Sequence, residues 1–318
     1  MISTDINEAV QCLVRGDIVS IPTETVYGLA GNIYDENAIK KIFELKKRPL
    51  FNPLIVHTHS ITELDKFVDY TPSKAQILAK KFWPGSLTLV LKKKNNVPDL
   101  ITAGKDTVAI RVPKHPVALK LLEGLEFPLA APSANPFGSI SPTRAEHVHN
   151  YFGDQLSIVL DGGSCENGLE STIIGFNGDE PVLYRLGSIS IEEIEAEVGS
   201  IEIANKKEKA PDAPGMLSRH YAPSTRTYLV DNVSEYIKTK AGRIGIILFE
   251  SSEAHQNIQT QITLSETGNL KEAASKLYES LHQLDKLNLD CIVAEKFPDY
   301  GLGKSINDRL ERATKQKD

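Results

Sequence analysis

Apolar positions along this chain of 318 residues recur at two spacings, every third or fourth residue and every second residue, and the two alternate from end to end. Ile6, Ala9, Val10, Leu13 and Val14 share one face, which predicts a helix over residues 4–16 with Gly16 just past its end. Asp35 reads as the N-cap of a second helix with Ala38, Ile39, Ile42, Phe43 and Leu45 as its stripe. Ser60 with Glu63, Thr143 with Glu146 and Ser190 with Glu193 are capping boxes that open three more. Thr71-Pro72 and His115-Pro116 open two others. Between these helices lie short runs that read as strands: 18–21, 54–56, 86–92, 107–113, the small residues after Pro128, and 157–160. Ser171–Phe176 and Val182–Gly187 form a hairpin through Asn177-Gly178-Asp179.

Residues 200–224 break the pattern. Lys206-Lys207-Glu208-Lys209 is a charged run, and Pro211, Pro214 and Pro223 interrupt any helix, so this is a linker. Its end, Gly215 to Pro223, is more apolar and aromatic than a passive tether needs. Beyond it, strands at 228–230, 243–249 and 291–294 alternate with a helical stripe from Leu270 to Leu284 and a final helix through Ile306, Leu310 and Ala313. The expected organisation is α/β throughout: a larger domain over 1–200, a linker over 201–224 and a small parallel α/β domain over 225–318.

Composition narrows the function. Apolar residues make up 41% and charged residues 25%, an ordinary globular mixture. No apolar run approaches the ~18–20 residues of a membrane span, and the first residues lack a secretory pattern. Three widely spaced cysteines, Cys12, Cys165 and Cys291, argue for reduced thiols in a cytoplasmic protein. Net charge is −6, yet residues 1–150 hold 18 Lys and Arg against 15 Asp and Glu, while residues 151–200 hold 1 against 10. A general nucleic-acid surface would be broadly basic, so the cations are better placed around a small anion.

The candidate chemistry gathers between Ile21 and His57. Pro22 ends a strand and is followed by three side-chain oxygens, on Thr23, Glu24 and Thr25; Gly28 and Gly31 then leave the backbone free to bend or to admit a ligand. The second helix ends in Lys46-Lys47-Arg48 before Pro49, and Asn52-Pro53 feeds a strand ending at His57. Cations there favour the helix dipole by about 0.3–1 kcal/mol, but strand ends beside a basic cluster are also where open α/β sheets seat anions. Arg111 and Arg185 stand inside apolar strands, where a guanidinium needs either an internal ion pair or an anionic ligand. The loop from Pro132 to Thr143 carries Ser133, Asn135, Ser139 and Ser141, donors suited to phosphate or sugar. Gly301-Leu-Gly-Lys-Ser305 imitates the tail of a P-loop, but that motif's first glycine would fall on Pro298. The pairs His57/His59 and His147/His149 lack a third ligand, so no metal site is expected.

Taken in order, P-T-E-T-V-Y-G-L at 22–29, K-x-R-P at 46–49, N-P-L at 52–54, W-P-G-S/L-T at 83–88 and P-S-A-N at 132–135 resemble the YrdC-like domain. S-T-I-I at 171–174, R-x-G at 185–187 and R-H-Y-A-P at 219–223 extend the resemblance to the long, two-domain form of the threonylcarbamoyl-AMP synthase family. The resemblance implies a twisted open mixed sheet with a concave positive pocket, followed by a small Rossmann-like domain. It implies that L-threonine, bicarbonate or CO2, and ATP with Mg²⁺ give threonylcarbamoyl-AMP and pyrophosphate, and that tRNA-modifying transferase proteins then use the product, with weak tRNA contact. By motif, Thr25, His57, Arg111, Ala131 and Ser171 would line the threonine pocket. Arg48, Asn52, Thr107, Ser133, Ser141 and Arg185 would hold ATP, with Tyr221 closing over it. Lys46 and Arg48 would face phosphate as the catalytic pair, and no general base stands out. Two rivals remain. A carbamoyltransferase on the same domain would carry zinc-finger and acylphosphatase-like modules, and a double-stranded RNA or tRNA-binding module without catalysis would carry more positive charge.

Overall fold

The computed structural model describes residues 1–204 and 220–315. The first domain runs β1 (Ile2–Ser3), α1 (Ile6–Val14), β2 (Val19–Ile21), β3 (Gly28–Asn32), α2 (Glu36–Lys46), β4 (Ile55–His57), a 3-10 turn at Ile61–Lys66, α3 (Ser73–Phe82), β5 (Leu87–Lys92), α4 (Asp99–Thr102), β6 (Thr107–Arg111), α5 (Pro116–Glu123) and β7 (Leu129–Ala130). It continues through α6 (Ala145–Phe152), β8 (Ile158–Leu160), β9 (Thr172–Asn177), β10 (Glu180–Arg185), α7 (Ile191–Val198) and β11 (Glu202–Ile203). These strands form one mixed sheet in the order β1-β8-β2-β3-β7-β4-β6-β5-β9-β10-β11. The second domain holds β12 (Thr227–Val230), α8 (Val233–Lys238), β13 (Ile244–Leu248), β14 (Ile258–Thr263), α9 (Leu270–Asp285), β15 (Cys291–Glu295) and α10 (Leu302–Ala313), with an all-parallel sheet in the order β12-β15-β13-β14.

Strand periodicity divides the large sheet into two faces. Leu87, Leu89, Leu91, Val108 and Ile110 point to the core packed by α2, α3 and α7. Ile55, Val90, Ala109 and Ile173 point the other way and form a separate apolar floor with Tyr184. Two residues along each strand, the same alternation sets His57 beside Ile55, Arg111 beside Ala109 and Ser171 beside Ile173. The register of β10 against β9 shifts between Leu183 and Arg185. Leu183 belongs to the helix-packed core and Tyr184 to the floor, so strict alternation would send Arg185 into the core; the irregularity re-aims it.

Two expectations are corrected, and one strand has no counterpart in the sequence pattern. Gly28 and Gly31 belong to strand β3 rather than to a loose bend. A Cβ on Gly31 would sit 3.1 Å from Ile42 and 3.4 Å from Ile18, so the glycine serves close helix–sheet packing. Thr143 and Glu146 do not form a capping box: Arg144 occupies the N-cap of α6 without a side-chain cap, and Thr143 N donates instead to His147 Nδ1 at 3.3 Å. Strand β14, Ile-Gln-Thr-Gln-Ile-Thr, is an edge strand that buries little of itself, so no apolar run marks it. Among the described residues no helix is long and apolar enough to cross a membrane.

Gly31→Val tests the packing argument. Strand preference favours valine by up to ~1 kcal/mol, but overfilling a tight core costs about 1–3 kcal/mol. Urea unfolding should therefore show a net loss of stability despite the better strand former.

Candidate functional site

The floor opens into a cavity at the ends of β2, β4, β6, β9 and β10. Thr25, Arg48, His57, Arg111, Ala131, Ser133, Ser171, Arg185 and Tyr221 all line it, joined by Glu170 and His220. Its free volume is ≈ 50 Å³, against roughly 300–1,000 Å³ for typical small-molecule sites. His220 and Tyr221, near the end of the linker, take up part of its wall. The linker is stitched there by Ala222 N donating to Gly138 O at 2.9 Å. Tyr221 is fully buried with φ +63°, an uncommon backbone for a residue with a side chain.

One end of the cavity is a fixed fork. Arg111 Nε donates to Gly85 O at 3.1 Å, Nη1 to Thr25 Oγ1 at 2.8 Å and Nη2 to Glu24 Oε1 at 2.6 Å. Each Nη carries a second N–H beyond these bonds. Burial pushes the Glu24 carboxyl up, but Arg111 outweighs that and holds it below the usual carboxylate range. His57 pairs in register with Arg111 across β4 and β6. Burial, then the Arg111 charge, lower its pKa to about 3, so it is neutral at physiological pH. Its Nδ1 sits 3.1 Å from Ile55 O, which assigns the proton to Nδ1 and leaves Nε2 as an acceptor.

The other end is cationic. Arg48 Nε donates to Asn52 O at 3.2 Å and Nη2 to Pro53 O at 2.8 Å. It has no carboxylate partner among the described residues. Burial, reinforced by Arg185, lowers its pKa to about 9. Arg185 Nη2 donates to Ser171 O at 2.8 Å and Ser171 Oγ at 3.0 Å. Beside them, Asn52 Oδ1 and Nδ2, His220 Nδ1 and Tyr221 Oη are buried without hydrogen-bond partners. Unsatisfied buried polar atoms are rare, so these atoms near Arg48 and Arg185 mark a polar region whose hydrogen bonding is incomplete within the protein itself.

Four anticipated residues stand off the cavity wall. Lys46 is not among the lining residues: its ammonium is buried and donates to the carbonyls of Ser133 and Asn135, while its own carbonyl accepts from Phe137 N at 2.7 Å. It therefore clamps the Ser133–Phe137 loop to the end of α2. Ser141 Oγ donates to Glu170 Oε1 at 2.6 Å rather than opening to the cavity. Asn52 lies behind Arg48, its side chain unpartnered. Thr107 starts β6, four residues from Arg111 on the same face, so only a ligand lying along the apolar floor reaches it. Of the linker motif, Arg219 lies outside the described residues.

The second domain's contribution escaped the sequence. Glu170 Oε2 accepts from Arg309 Nε at 2.9 Å and from Tyr278 Oη at 2.9 Å. Burial raises its pKa, but Arg309 and Arg185 outweigh that and hold it below the usual range. Nearby, His147 of α6 stacks on His282 of α9 with ring centroids 3.8 Å apart, and His282 Nε2 lies 3.1 Å from Ser141 O. Glu279 and Arg144 flank the pair. No local signal marks these residues, because their partners lie more than 100 residues away.

Comparison with known proteins agrees with this geometry. A family model described as "Telomere recombination", of the Sua5, YciO and YrdC proteins, matches residues 11–187, and one described as "Threonylcarbamoyl-AMP synthase, C-terminal domain" matches residues 189–314. The threonylcarbamoyl-AMP synthase of Pyrococcus abyssi is 42% identical, with 94% of this chain and 91% of that protein aligned. That of Bacillus subtilis is 40% identical, over 97% and 92%. The crystal structure of P. abyssi Sua5 complexed with L-threonine superposes with a TM-score of 0.90 at 40% identity, covering 97% of this chain and 94% of that one.

The stacked histidines set an acid limit. Burial lowers both to about 4, whereas unfolded histidines titrate near 6.5. The unfolded state binds more protons between those values, so stability falls as pH drops from 6.5 towards 4. Replacing both by glutamine should flatten the slope by up to about 1.4 kcal/mol per pH unit per histidine, read from urea unfolding at pH 7 and pH 5.

Proposed function

The chain belongs to the threonylcarbamoyl-AMP synthase family in its two-domain form, and we propose that it converts L-threonine, bicarbonate and ATP to L-threonylcarbamoyl-AMP and pyrophosphate, for threonylcarbamoyladenosine formation in tRNA. The observation that carries this reading is the division of one cavity into a carboxylate-sized fork at Arg111 and a cationic end at Arg48 and Arg185.

The second N–H of each Arg111 Nη suits the threonine carboxylate, and Thr25, His57 Nε2 and Ser171 supply partners for its hydroxyl and amine. Glu24 fixes the fork's direction and offsets its charge. Bicarbonate takes up a proton and loses water to give CO2; threonine's amine, once deprotonated, bonds to that CO2 and releases a proton, leaving a carbamate anion. A carbamate oxygen then forms a bond to the α-phosphorus as the bond to the departing pyrophosphate breaks. The carbamate is already a nucleophile, so positioning and charge neutralisation by Arg48 and Arg185 are what the protein must provide. Lys46 supports this from behind, by holding Ser133 in place.

Mg²⁺ arrives on the triphosphate as part of the substrate. Among the described residues no group of three metal-ligating side chains exists, and Glu170, which lines the cavity, and Glu24 beside it are each held by an arginine. His220 and Tyr221 leave the cavity little free volume, and their enclosure of it would keep water from a labile carbamate and mixed anhydride. Buried thiols at Cys12, Cys165 and Cys291 suit a reducing cytoplasm. A pure RNA-binding role is less favoured, since the net charge is −6 and Arg48, Arg111 and Arg185 line a buried cavity. Product transfer to tRNA-modifying partners follows from the product's lability.

Incubating the protein with ATP, bicarbonate and each amino acid in turn should release pyrophosphate with threonine above all others. Arg48→Ala should lower that rate by at least ~100-fold, the scale of one preorganised charge contact. Release at the unaltered rate would remove Arg48 from phosphate handling, and tight filter binding of unmodified tRNA without pyrophosphate release would favour the RNA module.

A further inference from the structure

We propose that Arg309, on α10 of the second domain, is a positioning residue for ATP: it orients Glu170 and Tyr221, so the second domain forms part of the nucleotide end of the cavity. The inference rests on the synthase reading.

Arg309 is fully buried, and its guanidinium is committed in every direction. Nε donates to Glu170 Oε2 at 2.9 Å, Nη2 to Leu186 O at 2.6 Å and Nη1 to Asp308 Oδ2 at 2.6 Å. Its face lies 4.8 Å from the centroid of the Tyr221 ring. Three of these contacts reach the cavity wall. Glu170 and Tyr221 line the cavity, and Leu186 follows Arg185, which also lines it. Asp308, in turn, is gripped by Arg312 at 2.9 and 3.0 Å, which fixes it to the helix.

Tyr221 shows why the guanidinium plane matters. Its hydroxyl is buried without a partner, so no hydrogen bond sets the ring. The ring is held by packing and ring contacts: Arg309 lies over it, Tyr278 stacks with its centroid 5.7 Å away at 27°, and His220 meets it edge-on at 4.1 Å. A planar guanidinium supplies both the stack and the fork to Glu170, whereas an ammonium supplies only charge. Removing the stack frees the linker residue that walls the nucleotide end; the threonine fork at Arg111, tied to Glu24 and Thr25, is untouched.

The test compares full-length Arg309→Gln, Arg309→Lys and Lys304→Gln with the unaltered protein. The last variant breaks the exposed interdomain bridge to Glu192 at 2.9 Å without touching the cavity. ATP and threonine binding are measured by calorimetry, stability by thermal unfolding, and turnover by pyrophosphate release. Arg309→Gln should weaken ATP binding about tenfold or more while threonine binding changes less than about twofold, a split that general loosening does not produce. Arg309→Lys keeps a charge opposite Glu170, so it should recover most of the unfolding temperature yet leave ATP binding weak. Lys304→Gln should bind ATP as the unaltered protein does. The proposal is overturned if either Arg309 variant binds ATP normally, if ATP and threonine affinities fall together, or if Lys304→Gln weakens ATP equally. An unaltered protein that binds ATP but releases no pyrophosphate would overturn the synthase reading alone, with ATP affinities still deciding the role of Arg309.

Discussion

Everything at the centre of this protein follows from the cost of burying positive charge. Lys46, Arg48, Arg111, Arg185, Arg309 and Arg312 are all nearly inaccessible to water. Isolated cations there would cost several kcal/mol each. Arg111 is answered by Glu24, and Arg309 and Arg312 by Glu170 and Asp308. Lys46 is answered by two carbonyls. Arg48 receives only carbonyl oxygens, and Arg185 faces it across the cavity. Arg48, with no carboxylate partner among the described residues, leaves that end of the cavity cationic, and the proposed function assigns this charge to a polyphosphate.

The sheet makes this concentration possible. The central strands present their helix-facing residues to a large apolar core and leave the opposite face for function. His57, Arg111 and Ser171 stand at strand ends on that face, so the rigidity of the sheet fixes their spacing. The flexible parts are handled differently. The loop through Ser133 and Asn135 is pinned by Lys46 and by Ala134 N donating to Tyr27 O at 2.7 Å, and the linker end is pinned by stacking. The described end of the linker is thus held by ring contacts, while the Arg111 fork is held by hydrogen bonds to Glu24 and Thr25.

The second domain is joined to this arrangement by chemistry as well as by tether. Its helix α9 offers Tyr278 and His282, and α10 offers Arg309, to partners in the first domain. Val26, Ile140, Leu169 and Tyr221 share one apolar cluster with Leu277, Leu281 and Leu310. The interface is therefore continuous with the second domain's own core. It lies directly beneath Glu170.

The sequence by itself determined the α/β class, most helices with their caps, the hairpin at 171–187, the parallel second domain and the motif residues that gather at the cavity. These are legible because period, capping and turn chemistry act over a few residues. Tertiary structure alone decided which cations face the cavity. Lys46 and Arg48 are two residues apart, yet one clamps a loop and the other lines the site, because different carbonyls come within reach. Arg185 depended on a shift in strand register. Glu170 and Arg309 carried no local mark at all: charge pairing across 139 residues is set by packing two domains together, and no short-range pattern encodes it.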